Sequence, residues 1–294
     1  MSVLSPPEPI VVTNSQIYKS HSSLSLVNLF RASLYRVLLD PIDLVCFRIR
    51  YKAVAHPGKI IMVDPTQIDF YRDRPRRGTK RSPERSLEHR FRVMGGDWDG
   101  TLYRVTDHLR YRGLVERFVH GKDWRDTVIF QMEVMNGKTT PALEIRVATF
   151  IEKCRRRDSL FESIKKNGVL PSSEISRDSR RHFDQGSERN VSINIGRDGR
   201  LIFTRKGWHR LCIAKILDLR SMPVEVDLRH SEWQEIREEV RRSRHLGELS
   251  ERARAHLTHP DLEDLMPRDW LNEAGINKES VGSAEAAERY KAIQ

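Results

Sequence analysis

The chain has 294 residues, of which 38% are hydrophobic and 32% charged, with a formal net charge of +11 and a pI of about 9.8. This length holds one large domain or two smaller ones, and the basic balance favours anionic partners such as nucleotides or nucleic acid. The three widely spaced cysteines argue against a disulfide framework or a zinc site. No apolar run approaches the roughly 20 residues of a membrane helix, and no signal-peptide pattern precedes the first domain. We therefore expect a cytoplasmic protein with no membrane partner.

Composition divides the chain into segments, which are a flexible lead (1–23), an N-terminal helix with its connector (24–58), a domain (59–230) that contains an insertion (69–140), and a helical, polar C-terminal tail (231–294). Apolar side chains recur at helical spacing in residues 24–39, and Asp40-Pro41 ends that pattern. We expect this helix to pack on its own domain, with a membrane surface or a partner as the alternative.

A basic stretch follows a short strand predicted at Lys59–Val63. Arg72–Arg92 holds nine Lys or Arg residues and three acidic ones, together with two prolines and a glycine, which predicts a loop. Two interpretations stay open, a solvated loop or an arm that binds nucleic acid through Arg76, Arg77, Lys80 and Arg81. The lack of interleaved aromatic residues before Phe91 favours the solvated loop.

Within the insertion, two turns rich in Asp and Gly bracket a helix predicted at Leu109–Phe118. Each turn carries a tryptophan, and we expect Trp98 and Trp124 to be buried against the domain. The alternative for these turns is an acidic metal site formed by Asp97, Asp99 and Asp123.

Helical periodicity continues from Thr140 to Asn167. The run Cys154–Arg157 interrupts its apolar face, which predicts two helices with a break near Asp158. Asn167-Gly168 is a typical helix end.

Residues 191–230 are the most informative part of the chain. They predict a strand, an Asp198-Gly199 turn, a second strand, a glycine turn, a helix and a closing strand at Met222–Val226. Cys212 lies on the apolar side of that helix and is predicted to be a buried thiol. Together with the helices upstream, the pattern predicts an α/β fold with a mixed sheet, flanking helices and a mainly helical insertion.

The glycine turn supplies a candidate phosphate site, formed by Lys206, Gly207, Trp208, His209 and Arg210. Backbone N–H groups in the first turn of a helix are unpaired and the helix dipole is positive there, which suits a phosphate. An arginine at this position is unfavourable unless an anion or a carboxylate neutralises it. Phosphate binding and an internal salt bridge therefore both remain open. His230 follows the closing strand and either joins this site or caps the strand.

Four segments carry a family resemblance, namely a strand with Val-x-Pro-x-x-Ile (Ile61–Ile68), a helix ending in Asn-Gly (Leu160–Val169), the hairpin (Ile193–Phe203), and the Gly-x-His-Arg turn with its helix and strand (Gly207–Val224). In this order they resemble the ParB/sulfiredoxin-like superfamily, in a branch of ParB N-terminal-like domains. The resemblance covers about a third of the chain and leaves the insertion unexplained.

The resemblance implies a small mixed sheet with flanking helices, and phosphate contacts from His209 and Arg210 to CTP or ATP, with Mg as an accompanying ion. An arginine suits such a contact because its guanidinium pairs with two oxygens and stays charged. Trp208 stands where sulfiredoxins carry their reactive cysteine, so sulfiredoxin chemistry is rejected. Lys206 replaces an acidic residue that many relatives carry.

Three functions follow as hypotheses. The first is a nucleotide-binding ParB-like protein with nucleic acid as an additional partner, and the second is a phosphotransferase of the free-serine-kinase type. The third is an interaction protein without catalysis. An enzyme of this kind would be a nucleotide triphosphatase or phosphotransferase, and a phosphotransferase needs a carboxylate base, for which the candidates are Glu162, Glu225 and Asp227.

Overall fold

The computed structural model describes residues 51–55, 59–72, 92–136, 142–171, 190–204, 206–267 and 269–274. The chain divides after Tyr51, and every other described residue belongs to the second unit, Lys52–Gln294. Several predictions lie outside the described residues, namely those on the flexible lead (1–23), the helix in residues 24–39, and the basic residues Arg76, Arg77, Lys80 and Arg81.

The described strands are β1 (Ile60–Val63), β2 (Phe70–Tyr71), β3 (Arg92–Met94), β4 (Tyr103–Arg104), β5 (Val191–Ile195), β6 (Leu201–Phe203) and β7 (Met222–His230). The described α-helices are α1 (Leu109–Phe118), α2 (Val128–Phe130), α3 (Leu143–Asn167), α4 (Trp208–Ile216), α5 (Ser231–Arg242), α6 (Glu251–Arg254) and α7 (Trp270–Glu273). A π-helical turn, Gln131–Met135, continues α2, and short 3-10 turns occupy Pro65–Gln67, Val105–Asp107, Trp124–Asp126 and Leu246–Glu248.

The strands form one mixed sheet in the order β1-β7-β5-β6-β2-β4, with β3 also paired to β7. The first half of β7 pairs antiparallel with β1, its second half pairs parallel with β3, and its other edge pairs parallel with β5. The predicted hairpin is present as antiparallel β5 and β6, and the closing strand runs four residues beyond Val226. The α/β fold class with a mixed sheet is confirmed.

Helices pack against the sheet, and most of the buried apolar residues form one core cluster with it. The insertion contributes directly to this core through Leu114, Trp124 and Ile129. Trp98 packs in a smaller cluster with Ile202 and Leu228. Both tryptophans are buried, as the turn pattern predicted.

Helix α3 is continuous, so the predicted break near Asp158 is wrong. The charged run fits into one helix because its inward members have partners on neighbouring elements. Arg157 pairs with Glu133 at 2.7 Å, and its guanidinium lies 5.6 Å from the centre of the Trp124 ring. Asp158 accepts a hydrogen bond from the indole Nε1 of Trp124. The helix ends at Asn167, as predicted, and Gly168 follows with a φ of 71°.

Among the described residues, no helix combines the length with the apolar character that a membrane span requires.

The segment after β7 differs from the polar tail predicted for 231–294. Its described part packs into the main core through Trp233, Ile236 and Val240 of α5, and through Leu262 and Trp270 further on. The apolar residues of α5 recur at helical spacing. The many acids and arginines between them give this segment a polar composition, which is why the sequence predicts a polar tail.

A buried ion network fixes this segment to the sheet. Asp261 is fully buried and accepts two hydrogen bonds from Arg229 of β7, at 2.8 and 2.6 Å, and one from the Trp233 indole at 3.0 Å. Arg237 is also fully buried and lies 3.2 Å from Asp261. Although burial alone would raise the pKa of Asp261, the charges of Arg229 and Arg237 hold it well below its usual value.

The same network reaches the start of the unit. Arg237 donates two hydrogen bonds to the Ala53 carbonyl, and Lys59 lies 2.8 Å from Asp264 and 3.4 Å from Asp261. Residues far apart in the chain are therefore joined through one buried carboxylate.

A substitution of Asp261 tests how much this carboxylate contributes to the stability of the fold. Asp261→Asn leaves Arg229 and Arg237 buried without their anion, so we expect it to lower the free energy of unfolding by about 3–5 kcal/mol. Glu152→Gln is the control, because this side chain is 51% exposed, its partner Arg156 is 40% exposed, and an exposed ion pair contributes about 1 kcal/mol or less. Urea denaturation measures both, and equal small losses would contradict a dominant role for Asp261.

Candidate anion-binding site

The predicted glycine turn begins α4 and cannot hold another residue without strain. Gly207 has φ 78° and ψ 26°, the left-handed region in which glycine is favoured. A Cβ built at this position would lie 2.6 Å from Val191 Cγ2 and 2.8 Å from Val191 Cα. Both the backbone conformation and the close approach to β5 therefore require glycine. No side chain caps the helix that starts at Trp208.

Trp208 lies among other rings but leaves its polar atom without a partner. Its ring centre is 4.3 Å from that of His108, 4.9 Å from Phe203 and 5.4 Å from Tyr71. Its Nε1 is buried and donates to no acceptor in the described part of the chain. An unpaired buried N–H costs about 1–3 kcal/mol, so such a donor calls for an explanation.

His209 is a neutral hydrogen-bond acceptor. Its Nε2 accepts a hydrogen bond from Arg157 Nε at 3.3 Å. Burial, followed by the positive charges of Arg157 and Arg110, lowers the pKa of His209 to about 3. The imidazole therefore faces the protein interior without a charge, and only its backbone N–H remains suited to a phosphate.

A cluster of charges surrounds His209, which we call the His209 cluster and define as Arg110, Glu133, Lys153, Arg157 and His209. Glu133 lies in the π-helical turn, 2.7 Å from Arg157 and 3.7 Å from Lys153. The Nε of Arg110 is buried and has no hydrogen-bond partner among the described residues. Three cations thus share one carboxylate, and the cluster carries a net positive charge.

The sequence pattern does not reveal this cluster. In the sequence, Arg157 only interrupts an apolar face, although an arginine at an inward helical position is itself a sign of a buried partner. No local signal in the sequence pointed to Arg110 or Glu133.

The two other cations of the turn, Lys206 and Arg210, lie in different surroundings. Lys206 Nζ lies 3.3 Å from Asp227 Oδ1, and both side chains are largely buried, so this cation already has a counter-ion within the protein. Arg210 is 6% exposed, and burial lowers its pKa.

One further candidate, His230, is not brought to the turn. His230 lies six residues along β7 from Val224, which pairs with Val191, so it is about 20 Å from the turn. Its Nε2 hydrogen-bonds to the Gly96 carbonyl, and its Nδ1 accepts from the N–H of Glu232, which caps α5. Glu162 is exposed on α3. Glu225 is half-buried on β7 and pairs with Ser192, whose N–H donates to the Lys206 carbonyl, so it lies beside the turn.

The acidic turns bind an arginine. Asp99 accepts from the Arg197 backbone at 2.8 Å and from its guanidinium, which also lies 2.8 Å from Asp97. Asp123 instead caps the 3-10 turn Trp124–Asp126. The described residues contain no group of three or more His, Cys, Asp or Glu side chains suited to a metal ion.

The described cysteines are free, buried thiols. Burial raises the pKa of Cys154 to about 12 and that of Cys212 further still. Thiols held in the protonated form in this way are poor nucleophiles. The prediction that Cys212 is buried is confirmed.

Compared with known proteins, the chain matches no family model, no curated protein sequence and no solved structure. The resemblance to the ParB/sulfiredoxin-like superfamily therefore stays a prediction.

The requirement for glycine at 207 can be measured against a matched position. Gly207→Ala combines a left-handed backbone with a clash against Val191, whereas Gly121 has a φ of 68° with nothing within 4 Å of a Cβ. We expect Gly121→Ala to cost about 1–2 kcal/mol and Gly207→Ala about 1–3 kcal/mol more, because of overpacking. Denaturant unfolding compares them, and equal losses would show that the contact with β5 is unimportant.

The buried imidazole predicts an acid-sensitive fold. The pKa of His209 is about 6.5 in the unfolded chain and about 3 in the folded protein. The folded state therefore binds fewer protons than the unfolded state. The histidine's stabilising contribution is complete above pH 6.5 and is lost as the pH falls, by at most about 1.4 kcal/mol per pH unit. We expect His209→Gln to reduce the slope of stability between pH 6 and 4.5.

His259 contributes in the same direction, because burial lowers its pKa to about 4, so the slope should diminish rather than vanish. The exposed His245 supplies the control, and His245→Gln should leave the slope unchanged. An unaltered slope in His209→Gln would mean that the imidazole is charged in the folded protein.

Proposed function

We propose that this protein binds the phosphate groups of a nucleotide at the Gly207 turn and the first turn of α4. The observation that carries the proposal is the buried Nε1 of Trp208, which has no acceptor among the described residues. A phosphate oxygen next to the helix start would accept this hydrogen bond. Because the donor is buried and already without water, the bond would form with little further desolvation.

The backbone supports the same ligand. The left-handed Gly207 has no Cβ that would hinder a close approach, and α4 starts without a side-chain cap. The N–H groups of Trp208, His209 and Arg210 belong to the first helical turn, whose dipole favours an anion. The net positive His209 cluster adds longer-range attraction for the same charge.

The chemistry proposed here is binding. Asp227, one candidate base, is paired with Lys206, and Glu133 is paired with Arg157. Both carboxylates serve as counter-ions, so we assign no catalytic residue and no role to a magnesium ion. A nucleic-acid contact through Arg76, Arg77, Lys80 and Arg81 remains a prediction on residues outside the described part of the chain.

Trp208→Phe tests the proposal by removing the unpaired donor while keeping a ring. We expect the wild-type protein to bind CTP or ATP in isothermal titration calorimetry. The variant should bind the same nucleotide about ten- to a hundredfold more weakly, since a hydrogen bond to a charged group contributes about 1.5–3 kcal/mol. Without ligand, the free energy of unfolding of the variant should change little. The loss of the unsatisfied donor stabilises the variant, and the loss of part of the ring's packing destabilises it.

Trp98→Phe is the matched control. The Trp98 indole donates to the Met94 carbonyl, and its ring packs beside His230, at the other end of β7. This variant should retain wild-type affinity. Wild-type protein that binds neither nucleotide at millimolar concentration would end the proposal, as would equal affinity in Trp208→Phe and the wild type.

A further inference from the structure

We propose that Arg110 of the insertion and Lys153 of α3 form a second anion subsite beside the turn, so that the ligand is one with at least two linked phosphate groups. This inference rests on the proposed function, since it places a second phosphate next to the first. It also gives the segment 69–140 a role in binding, beyond its part in the core.

The first step is that the N-terminal ends of α1 and α4 lie next to each other. His108 precedes α1, and its ring centre lies 4.3 Å from that of Trp208, the first residue of α4, with the two planes tilted by 53°. Helix α1 packs against α4. The first turn of the insertion helix, which includes Arg110, is thereby held against the first turn of the helix that we assign to phosphate binding.

The second step is the charge that this contact leaves uncompensated. Glu133 already holds Arg157 at 2.7 Å, whereas its distance to Lys153 is 3.7 Å. Arg110 has a buried Nε with no hydrogen-bond partner among the described residues. One carboxylate therefore serves three cations, and the two that are less engaged are Arg110 and Lys153.

The third step is access. Arg157 is almost fully buried, with a side chain that is 6% exposed, and it is used by Glu133 and by His209. Lys153 is 47% exposed, and Arg110 is half-buried. Lys153 therefore reaches solvent, whereas Arg157 does not. In the proposed complex, the second phosphate would approach from the side of Lys153.

The imidazole of His209 accepts a hydrogen bond from Arg157, and its pKa is lowered first by burial and then by the positive charges of Arg157 and Arg110. An anion bound beside it would oppose the effect of these charges. The same ring therefore reports on occupancy of the subsite.

Pyrophosphate and orthophosphate are the probes, because they share the chemistry of the linked phosphates without a base or a sugar. In isothermal titration calorimetry at fixed ionic strength, we expect Arg110→Gln to weaken pyrophosphate binding at least tenfold and orthophosphate binding less than twofold. Arg112→Gln removes the same charge from an exposed position of the same helix and should change neither affinity more than twofold.

A second pair of variants keeps the test valid if Arg110→Gln is poorly folded. Lys153→Gln should show the same selective loss for pyrophosphate, with Lys165→Gln, exposed on the same helix, as its control. In the wild type, saturation with pyrophosphate should also raise the pKa of the His209 imidazole by at least one unit in an NMR titration.

The outcomes separate the two proposals. Wild-type protein that binds both probes, with variants that lose both equally or lose neither, would overturn the second subsite and leave phosphate binding at the turn intact. Wild-type protein that binds neither probe would overturn both proposals. A selective loss of pyrophosphate in Arg110→Gln or Lys153→Gln, with unaffected controls, supports the subsite.

Discussion

The buried carboxylate of Asp261 is the interaction on which the described fold most depends. It neutralises Arg229 on the central strand and Arg237 on α5, and Arg237 in turn holds the Ala53 carbonyl. A charge in the interior is tolerated only when it is paired and hydrogen-bonded, so these residues are stable together and costly apart. The sheet, the helix that follows it and the segment near Asp261 therefore form one structural unit, although their residues lie far apart in the chain.

The candidate site shows the opposite arrangement of charge. Around Asp261 each guanidinium has an acidic partner, whereas the His209 cluster has three cations, one carboxylate and a neutral imidazole. The indole Nε1 of Trp208 and the Nε of Arg110 are buried donors with no acceptor in the described part of the chain. Unsatisfied donors are rare in folded proteins and cluster where function requires them. This contrast within one molecule is the reason why we assign the anion to the start of α4.

The insertion contributes to both the apolar core and the candidate site. Its apolar residues complete the core beside α3 and α4, and its first helical turn meets the glycine turn through the rings of His108 and Trp208. The same segment thus stabilises the fold and contributes one cation, Arg110, to the proposed site. Several other charges have partners within the protein, among them Lys206 with Asp227 and Arg197 with Asp97 and Asp99.

The sequence by itself determined the elements whose signal is local. The β5–β6 hairpin, the Gly207 turn, α1 and the end of α3 follow from turn residues and apolar periodicity, because these act through the backbone within a few residues. Only the tertiary structure decided which charges are paired. The partners of Arg157, Lys206 and Arg229 lie 24, 21 and 32 residues away, and no local pattern encodes that proximity. The continuous α3, the packed segment after β7 and the unbalanced His209 cluster were decided for the same reason, since each depends on contacts formed only when distant segments fold together.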